Sequence, residues 1–501
     1  MIGQVLQTLI SAVTVIAVAY IIGRDANGEV FVVMIPVNVA LLLQDMGIST
    51  ALTRFCALFR HEERLGDLNV IVRTGLAFSA LLAVLMSLTL YLLAGPISVV
   101  WLQRPDLEWL FRIASLTVAG QALMSTAQAI FVGYELMHFR AGMQVAWSIL
   151  RGLVVFPLVF LGYRAFGPVI ASTASSILLG LAGVLLALYF YKFEKGSDGL
   201  AGSEALRLIL GFGLPFYLGS LISGGLGQVY STLMTTYATT GDLGDYSAAM
   251  NFAVLVSFFT LPIGTTLFPM FSKMKGDDAR LRPLYMSAVK YTSLVVTPIA
   301  ACLIVVARPL THVIYPNYIN AGLYLGLYLV AYLFEGLGGQ TLSNLLVGMG
   351  ESRVILWSSV VSFVVGVPIA LLLVPYLGVT GAIMAMIVAP RAGWLYQYLW
   401  LRGRKGPGVG WRDTALIYLS VALSFLVAYG EYTLLELHGW VALIVCTASF
   451  FVVYLVALPL SGVLGPGDFQ QLRAITAVTG PLGPLLRILL SVMQRFARVK
   501  S

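Results

Sequence analysis

Five ionisable side chains stand inside or at the edge of runs that are otherwise almost wholly apolar: Asp45, Arg54, Arg151, Glu335 and Arg391. Arg151 lies midway along one such run, and Arg391 lies midway along another, just after Pro390. Glu335 sits beside Gly336, Gly338 and Gly339, while Asp45 comes near the end of a run with Arg54 just past it. A charge at mid-bilayer depth costs at least ~2.5–3.5 kcal/mol, so it must face water or a partner. Guanidinium binds phosphate through two parallel hydrogen bonds and stays charged at any relevant pH. Arg151 and Arg391, with Arg54 and Asp45, are therefore read as the lining of a cavity for an anionic head group. Glu335 becomes the candidate for coupling to H+ or Na+. The competing reading pairs one arginine with Glu335 as buried structural glue. Pro390 is read as a kink, and the glycines around Glu335 as close helix packing rather than a hinge.

Composition says what carries these residues. Of 501 positions, 59% are apolar and 10% charged, against roughly 25% charged in a soluble domain. So few charges could not solvate a soluble surface of this size, whereas a bilayer permits apolar side chains to face outward. The net charge of +8 comes from basic residues scattered between apolar runs, which is a topology signal and no footprint for nucleic acid. Cys56, Cys302 and Cys446 are odd in number and suggest neither a disulfide framework nor a metal site. No phosphate loop or metal-ligand spacing is present, and His61, His138, His312 and His438 are scattered. With loops this short, no enzymatic centre is expected, and no cofactor. The first apolar run lacks a basic flank and is read as retained rather than cleaved.

A ruler of about 20 apolar residues per crossing predicts about fourteen transmembrane helices. They fall near 5–22, 30–49, 71–93, 110–132, 143–163, 168–189, 206–234, 246–271, 291–306, 321–347, 354–374, 381–401, 414–428 and 440–463. With the N-terminus in the cytoplasm, about 23 of the 30 Lys and Arg residues fall on the cytoplasmic side. An even number of crossings returns the C-terminus to that side. In the tail, Leu485, Leu486, Leu489, Val492, Met493 and Phe496 share one helical face opposite Arg487, Arg495 and Arg498. That pattern is read as an interfacial amphipathic helix on the anionic inner leaflet.

Segments about 215 residues apart look alike. Thr53-Arg54-Phe55 near the end of the second run is echoed by Phe268-Pro269-Met270, and Phe131-Val132-Gly133 by Leu346-Val347-Gly348. Phe166-Gly167 is echoed by Leu377-Gly378 at an offset of 211. Two six-helix repeats of like orientation follow: a bundle over 1–195, a cytoplasmic linker over 196–205 and a second bundle over 206–402. Two further helices lie within 403–465, and the tail is 466–501. A midplane cavity between two such bundles is an alternating-access plan.

Several motifs taken together resemble one family. Gln44-Asp45-Met46-Gly47-Ile48 through Arg54, Gly244-Asp245-Tyr246-Ser247-Ala248-Ala249, Leu267-Phe268-Pro269 to Ser272, and Leu346-Val347-Gly348 to Glu351 resemble polysaccharide transporters. These are the O-antigen flippase type within the multidrug/oligosaccharidyl-lipid/polysaccharide exporter superfamily. The resemblance spans most of the chain. It implies an all-α integral membrane fold of two six-helix bundles plus two helices in a V, with cationic residues along the central cavity. It further implies a multi-pass protein of a prokaryotic plasma membrane that flips lipid-linked oligosaccharide or polysaccharide precursors. Membrane lipids, the lipid-linked glycan, and glycosyltransferases or a polymerase of the same pathway would be its partners. Many members carry an aspartate in the seventh span, where this chain has Gln228, Val229 and Tyr230, which puts a coupling role for that acid in doubt. Two other functions stay open: a cation-coupled multidrug extruder of similar fold, and a non-transporting scaffold of a glycan-assembly complex.

The topology is directly testable. Reporter fusions after Arg54, Lys195, Lys275, Arg404 and Lys500 should report cytoplasm, and fusions near Arg104, Asp242 and Glu436 the opposite side. Inversion across any single span would overturn the fourteen-helix count.

Overall fold

The computed structural model describes residues 2–193, 200–273, 278–404, 408, 410–465, 467–469, 491 and 494. Most of the linker (194–199) and most of the tail that would hold the amphipathic helix lie outside the described residues. Among the described residues there is no strand, and sixteen α-helices of ten or more residues carry the chain. They are α1 (Ile2–Ile22), α2 (Arg24–Asp45), α3 (Ile48–His61), α4 (Leu65–Leu92), α5 (Glu108–Gly133), α6 (Met137–Phe160), α7 (Phe166–Phe193) and α8 (Gly202–Tyr237). Then come α9 (Thr240–Lys273), α10 (Asp278–Ile314), α11 (Ala321–Leu333), α12 (Gly339–Gly348), α13 (Ser352–Leu377), α14 (Val379–Gly403), α15 (Trp411–Leu434) and α16 (Gly439–Ser461). Among the described residues ten helices, or twelve if each bent pair is one, are long and apolar enough to cross a membrane, and Leu6–Ile22 is a shorter apolar helix. The protein is an all-α, multi-pass membrane protein.

Two boundaries differ from the sequence-based spans for visible reasons. The second span starts at Arg24, because Arg24 and Asp25 form the first turn of α2. The tenth span is not continuous: α11 and α12 meet at 51° across a 3₁₀ turn, Phe334–Leu337. Gly338 follows at φ +86, a left-handed conformation that favours glycine. The glycine cluster is therefore a break in the helix rather than only a packing surface.

The chain forms two compact units. One comprises Met1–Asn251 with Gly366–Ala382, the other Phe252–Val365 with Ile383–Ser501. The first is packed through small and hydroxylated residues, which let helix backbones approach closely in a bilayer. A Cβ on Gly180 of α7 would sit 2.5 Å from the Gly120 carbonyl of α5. Thr117 and Thr173 share a hydrogen bond of 2.7 Å, and Ser79 and Thr126 one of 2.6 Å. At the α2–α3 break, Met46 and Gly47 have φ of 43 and 79. Gly47 abuts Gly213 of α8 backbone to backbone. In the second unit, Ala301 and Val305 of α10, Ile417 and Val421 of α15, and Phe450 and Tyr454 of α16 make one core. Leu267, Phe271, Tyr285, Leu342 and Leu345 make another. Outward-facing apolar rows such as Leu81, Val84, Leu85 and Leu88 on α4, or Leu419, Leu423 and Leu426 on α15, suit contact with lipid.

One internal echo has a structural counterpart. After α5, the N–H of Glu135 donates to Val132 O at 3.0 Å and that of Leu136 to Phe131 O at 2.7 Å. After α12, Gly350 donates to Val347 O at 3.0 Å and Glu351 to Leu346 O at 2.9 Å. Both are Schellman turns, with Glu135 and Gly350 at φ of 60 and 81, and they lie 215 residues apart.

The Gly47–Gly213 crossing is the most sterically exacting of these contacts. A Cβ on Gly213 would lie 2.5 Å from Gly47 O and 2.8 Å from its carbonyl carbon. Gly213→Val should therefore destabilise the detergent-solubilised protein by about 1–3 kcal/mol, read as a lowered thermal midpoint. An unchanged midpoint would contradict this crossing.

Candidate functional site

The broken α11–α12 helix leaves backbone groups without their helical partners, and nothing in hydrocarbon can replace those partners. Side chains from three other helices and from the break itself do so. The Arg391 guanidinium of α14 donates through Nη2 to the Ala331 carbonyl. The Tyr418 hydroxyl of α15 donates to the Leu333 carbonyl. Ser293 Oγ of α10 lies 2.7 Å from the Gly336 carbonyl. At the other side of the break, the backbone N–H of Gln340 donates to Glu335 Oε2 at 2.7 Å. Arg391 thus sits at the carbonyl end of α11, and Glu335 at the N–H end of α12. Each charge has the sign that the local helix dipole favours.

Glu335 and Arg391 also line one cavity of about 460 Å³, together with Gln340, Ser343, Ser358, Ser359, Ser362, Trp394 and Gln397. The Arg391 guanidinium stands 4.5 Å over the Phe334 ring. No ion pair within 4.0 Å joins Glu335 to Arg391 among the described residues; each is held first by the backbone of the break. Gln397 bridges two hydroxyls, accepting from Ser343 Oγ at 3.0 Å and donating to Ser358 Oγ at 2.8 Å.

Arg151 occupies a different place, in the first unit. It lines a cavity of about 210 Å³ walled by Thr14, Val18, Asn27, Phe31, Val155 and Ser247, among others, and no carboxylate lines it. Its Nε is buried without a hydrogen-bond partner. Trp147, whose ring centroid is 5.4 Å from the guanidinium carbon, is its one cation–π neighbour among the described residues. Arg151 is therefore a cation in an apolar-walled cavity, with neither an acid nor a hydrogen-bonded carbonyl to balance it among the described residues.

Asp45 ends α2 at the α2–α3 break, and Arg54 lies within α3. Asp45 accepts from the N–H of Gly47 at 3.2 Å, the N–H of Ser49 at 3.4 Å and Ser49 Oγ at 2.5 Å. From two residues before the N-cap Gly47, the carboxylate thus takes up a free N–H of the first turn of α3. Arg54 is exposed, with its guanidinium 4.1 Å over the Phe212 ring. The structure thus brings Glu335 and Arg391 into one cavity, sets Asp45 at a helix break and Arg54 within α3, and leaves Arg151 in a cavity of its own.

Sequence reasoning missed the joint between α2 and α9. Arg24 Nη2 lies 2.9 Å from Asp242 and 3.0 Å from the fully buried Asp245. Asn27 Nδ2 donates to the Gly244 carbonyl at 3.0 Å, and Gly28 and Gly244 permit the backbones to touch. Asp245 was visible within the Gly244–Ala249 motif, but nothing local in the sequence points to a partner 221 residues away. The serines of α13 carried a clearer signal. Ser358, Ser359 and Ser362 share a face of one span, which is unusual for a helix turned wholly to lipid.

Comparisons with known proteins agree with this architecture. The chain is 21% identical over 400 residues to an uncharacterized membrane protein of Methanocaldococcus jannaschii, covering 73% of this chain and 75% of that one. Its fold matches the lipid II flippase MurJ in an inward closed conformation with a TM-score of 0.73 at 16% identity, over 91% of this chain and 97% of that one. It also matches an inward-facing multidrug resistance MATE family transporter of the MOP superfamily, with a TM-score of 0.66 at 18% identity, over 80% and 95%. Residues 17–319 match the family model described as polysaccharide biosynthesis protein. The matched segment is more than half of the chain, which therefore belongs to the polysaccharide biosynthesis protein family.

Proposed function

We propose that the protein moves lipid-linked oligosaccharide or polysaccharide precursors across a prokaryotic plasma membrane by alternating access, with both termini in the cytoplasm. The observation that carries this reading is the unbalanced Arg151 guanidinium in its cavity. A buried cation without a partner is costly, and a phosphate supplies the missing partner. The lipid carrier of a glycan bears such a phosphate, and membership of a polysaccharide biosynthesis family supports that class of cargo. A cation-coupled drug extruder fits less well, because a cationic drug would meet Arg151 with no acid on the cavity wall. Arg391 and Glu335 are given a different part, since the helix break already engages both charges.

A hydrogen bond to a charged group contributes about 1.5–3 kcal/mol, which corresponds to roughly ten- to hundredfold in rate when it is made in crossing. Arg151→Gln should lower flipping of a labelled polyprenyl diphosphate oligosaccharide in vesicles by about that factor, with protein levels intact. Arg151→Lys should retain a substantial part of the rate, because the benefit depends on charge. Wild-type rates in the Gln variant would remove Arg151 from the mechanism.

A further inference from the structure

We infer that the α11–α12 cavity of the second unit is a subsite for neutral, hydroxyl-bearing sugar units of the cargo, rather than for its phosphate. The inference rests on the flippase reading and adds to it a division of labour: the anion at Arg151, sugar rings at the helix break.

The donors and acceptors of the wall carry the inference. A serine hydroxyl has one proton and two lone pairs. Ser358 Oγ gives its proton to Ile355 O at 2.8 Å, Ser359 Oγ to the same carbonyl at 3.2 Å, and Ser362 Oγ to Ser358 O at 2.9 Å. Ser343 gives its proton to Gln397. With those protons committed, the hydroxyls offer the cavity only lone pairs. Glu335 adds a carboxylate whose Oε2 alone is bonded to the break. Against these acceptors stand two buried donors without hydrogen-bond partners, Trp394 Nε1 and Arg391 Nε.

A phosphate accepts but cannot donate, so it would meet Glu335 and a row of serine lone pairs. The one cation of that wall shares the cavity with Glu335 and is already bonded to Ala331. A bare cation would meet the Arg391 guanidinium. A sugar hydroxyl both donates and accepts, and so fits both halves of the wall. The aromatic edges suit a sugar ring as well. Trp394 is stacked on Tyr398 with centroids 5.3 Å apart and planes 15° apart. It stands in the cavity with Tyr332 and Phe334, and these rings offer apolar surface to the C–H face of a pyranose.

The test uses the full chain in vesicles and two lipids: a polyprenyl diphosphate bearing a neutral hexose oligosaccharide, and the same polyprenyl diphosphate without sugar as a competitor. Trp394→Phe keeps the ring and removes the N–H donor. Ser359→Ala combined with Ser362→Ala removes acceptors. Each change should raise the apparent KM for the glycan-bearing lipid about three- to tenfold, the worth of one or two neutral hydrogen bonds. The inhibition constant of the sugar-free lipid should stay unchanged. If both constants move together, or neither moves, the sugar subsite is overturned. If wild-type protein carries no lipid at all, the flippase reading fails, and the cavity is then judged by titrating purified protein with the free oligosaccharide. A saturable tryptophan fluorescence change lost in Trp394→Phe supports the subsite. No saturable change overturns it.

Discussion

A bilayer supplies no water to a peptide group, and this constraint organises the second unit. Interrupting a span at Phe334–Gly338 frees carbonyls and N–H groups that must find partners inside the protein. Arg391, Tyr418, Ser293 and Glu335 are those partners, drawn from α14, α15, α10 and the break itself. A polar cavity lies beside the break within an apolar unit. Two of these side chains, Arg391 and Glu335, both satisfy the backbone and line the space.

The two mid-span arginines differ through what surrounds them rather than through their own chemistry. Arg391 has a bonded carbonyl, an aromatic face and a carboxylate on the same cavity wall. Among the described residues Arg151 has one cation–π neighbour, and its cavity wall carries no acid. Among the described residues its charge acts on whatever enters. The Arg151 cavity and the cavity at the α11–α12 break thus differ in the charges on their walls. The α2–α9 joint at Arg24, Asp242 and Asp245 shows a third use of charge, as an internal tie within the first unit.

Much of the fold was legible in the sequence because lipid imposes a simple code of apolar runs and basic loops. The fold class followed from it, whereas the family came from the motifs around Asp45, Asp245, Pro269 and Gly348. The offset of 215 residues also has a counterpart in the matching turns at Glu135 and Gly350. The break at Gly338 was harder to see, since glycines in a span serve equally for close packing, and only the left-handed φ distinguishes the two. Asp45 stood out as an acid near the end of an apolar run, and its carboxylate accepts from the Gly47 N–H and the Ser49 hydroxyl. Those contacts depend on the turn at Met46 and Gly47, which hydropathy does not register. Pairings such as Arg24 with Asp245 depend on tertiary approach over 221 residues and leave no local trace.

The central claim is that this chain carries an anionic, glycan-bearing lipid between leaflets. It is tested most directly by reconstituting the wild-type protein in vesicles loaded with a labelled polyprenyl diphosphate oligosaccharide. The rate at which the glycan becomes accessible to an external glycosidase is then measured, with and without a cationic amphiphile as competitor. The account predicts exposure much faster than in protein-free vesicles and unaffected by the cationic competitor. Exposure no faster than in protein-free vesicles, or transport blocked by the cation, would contradict it.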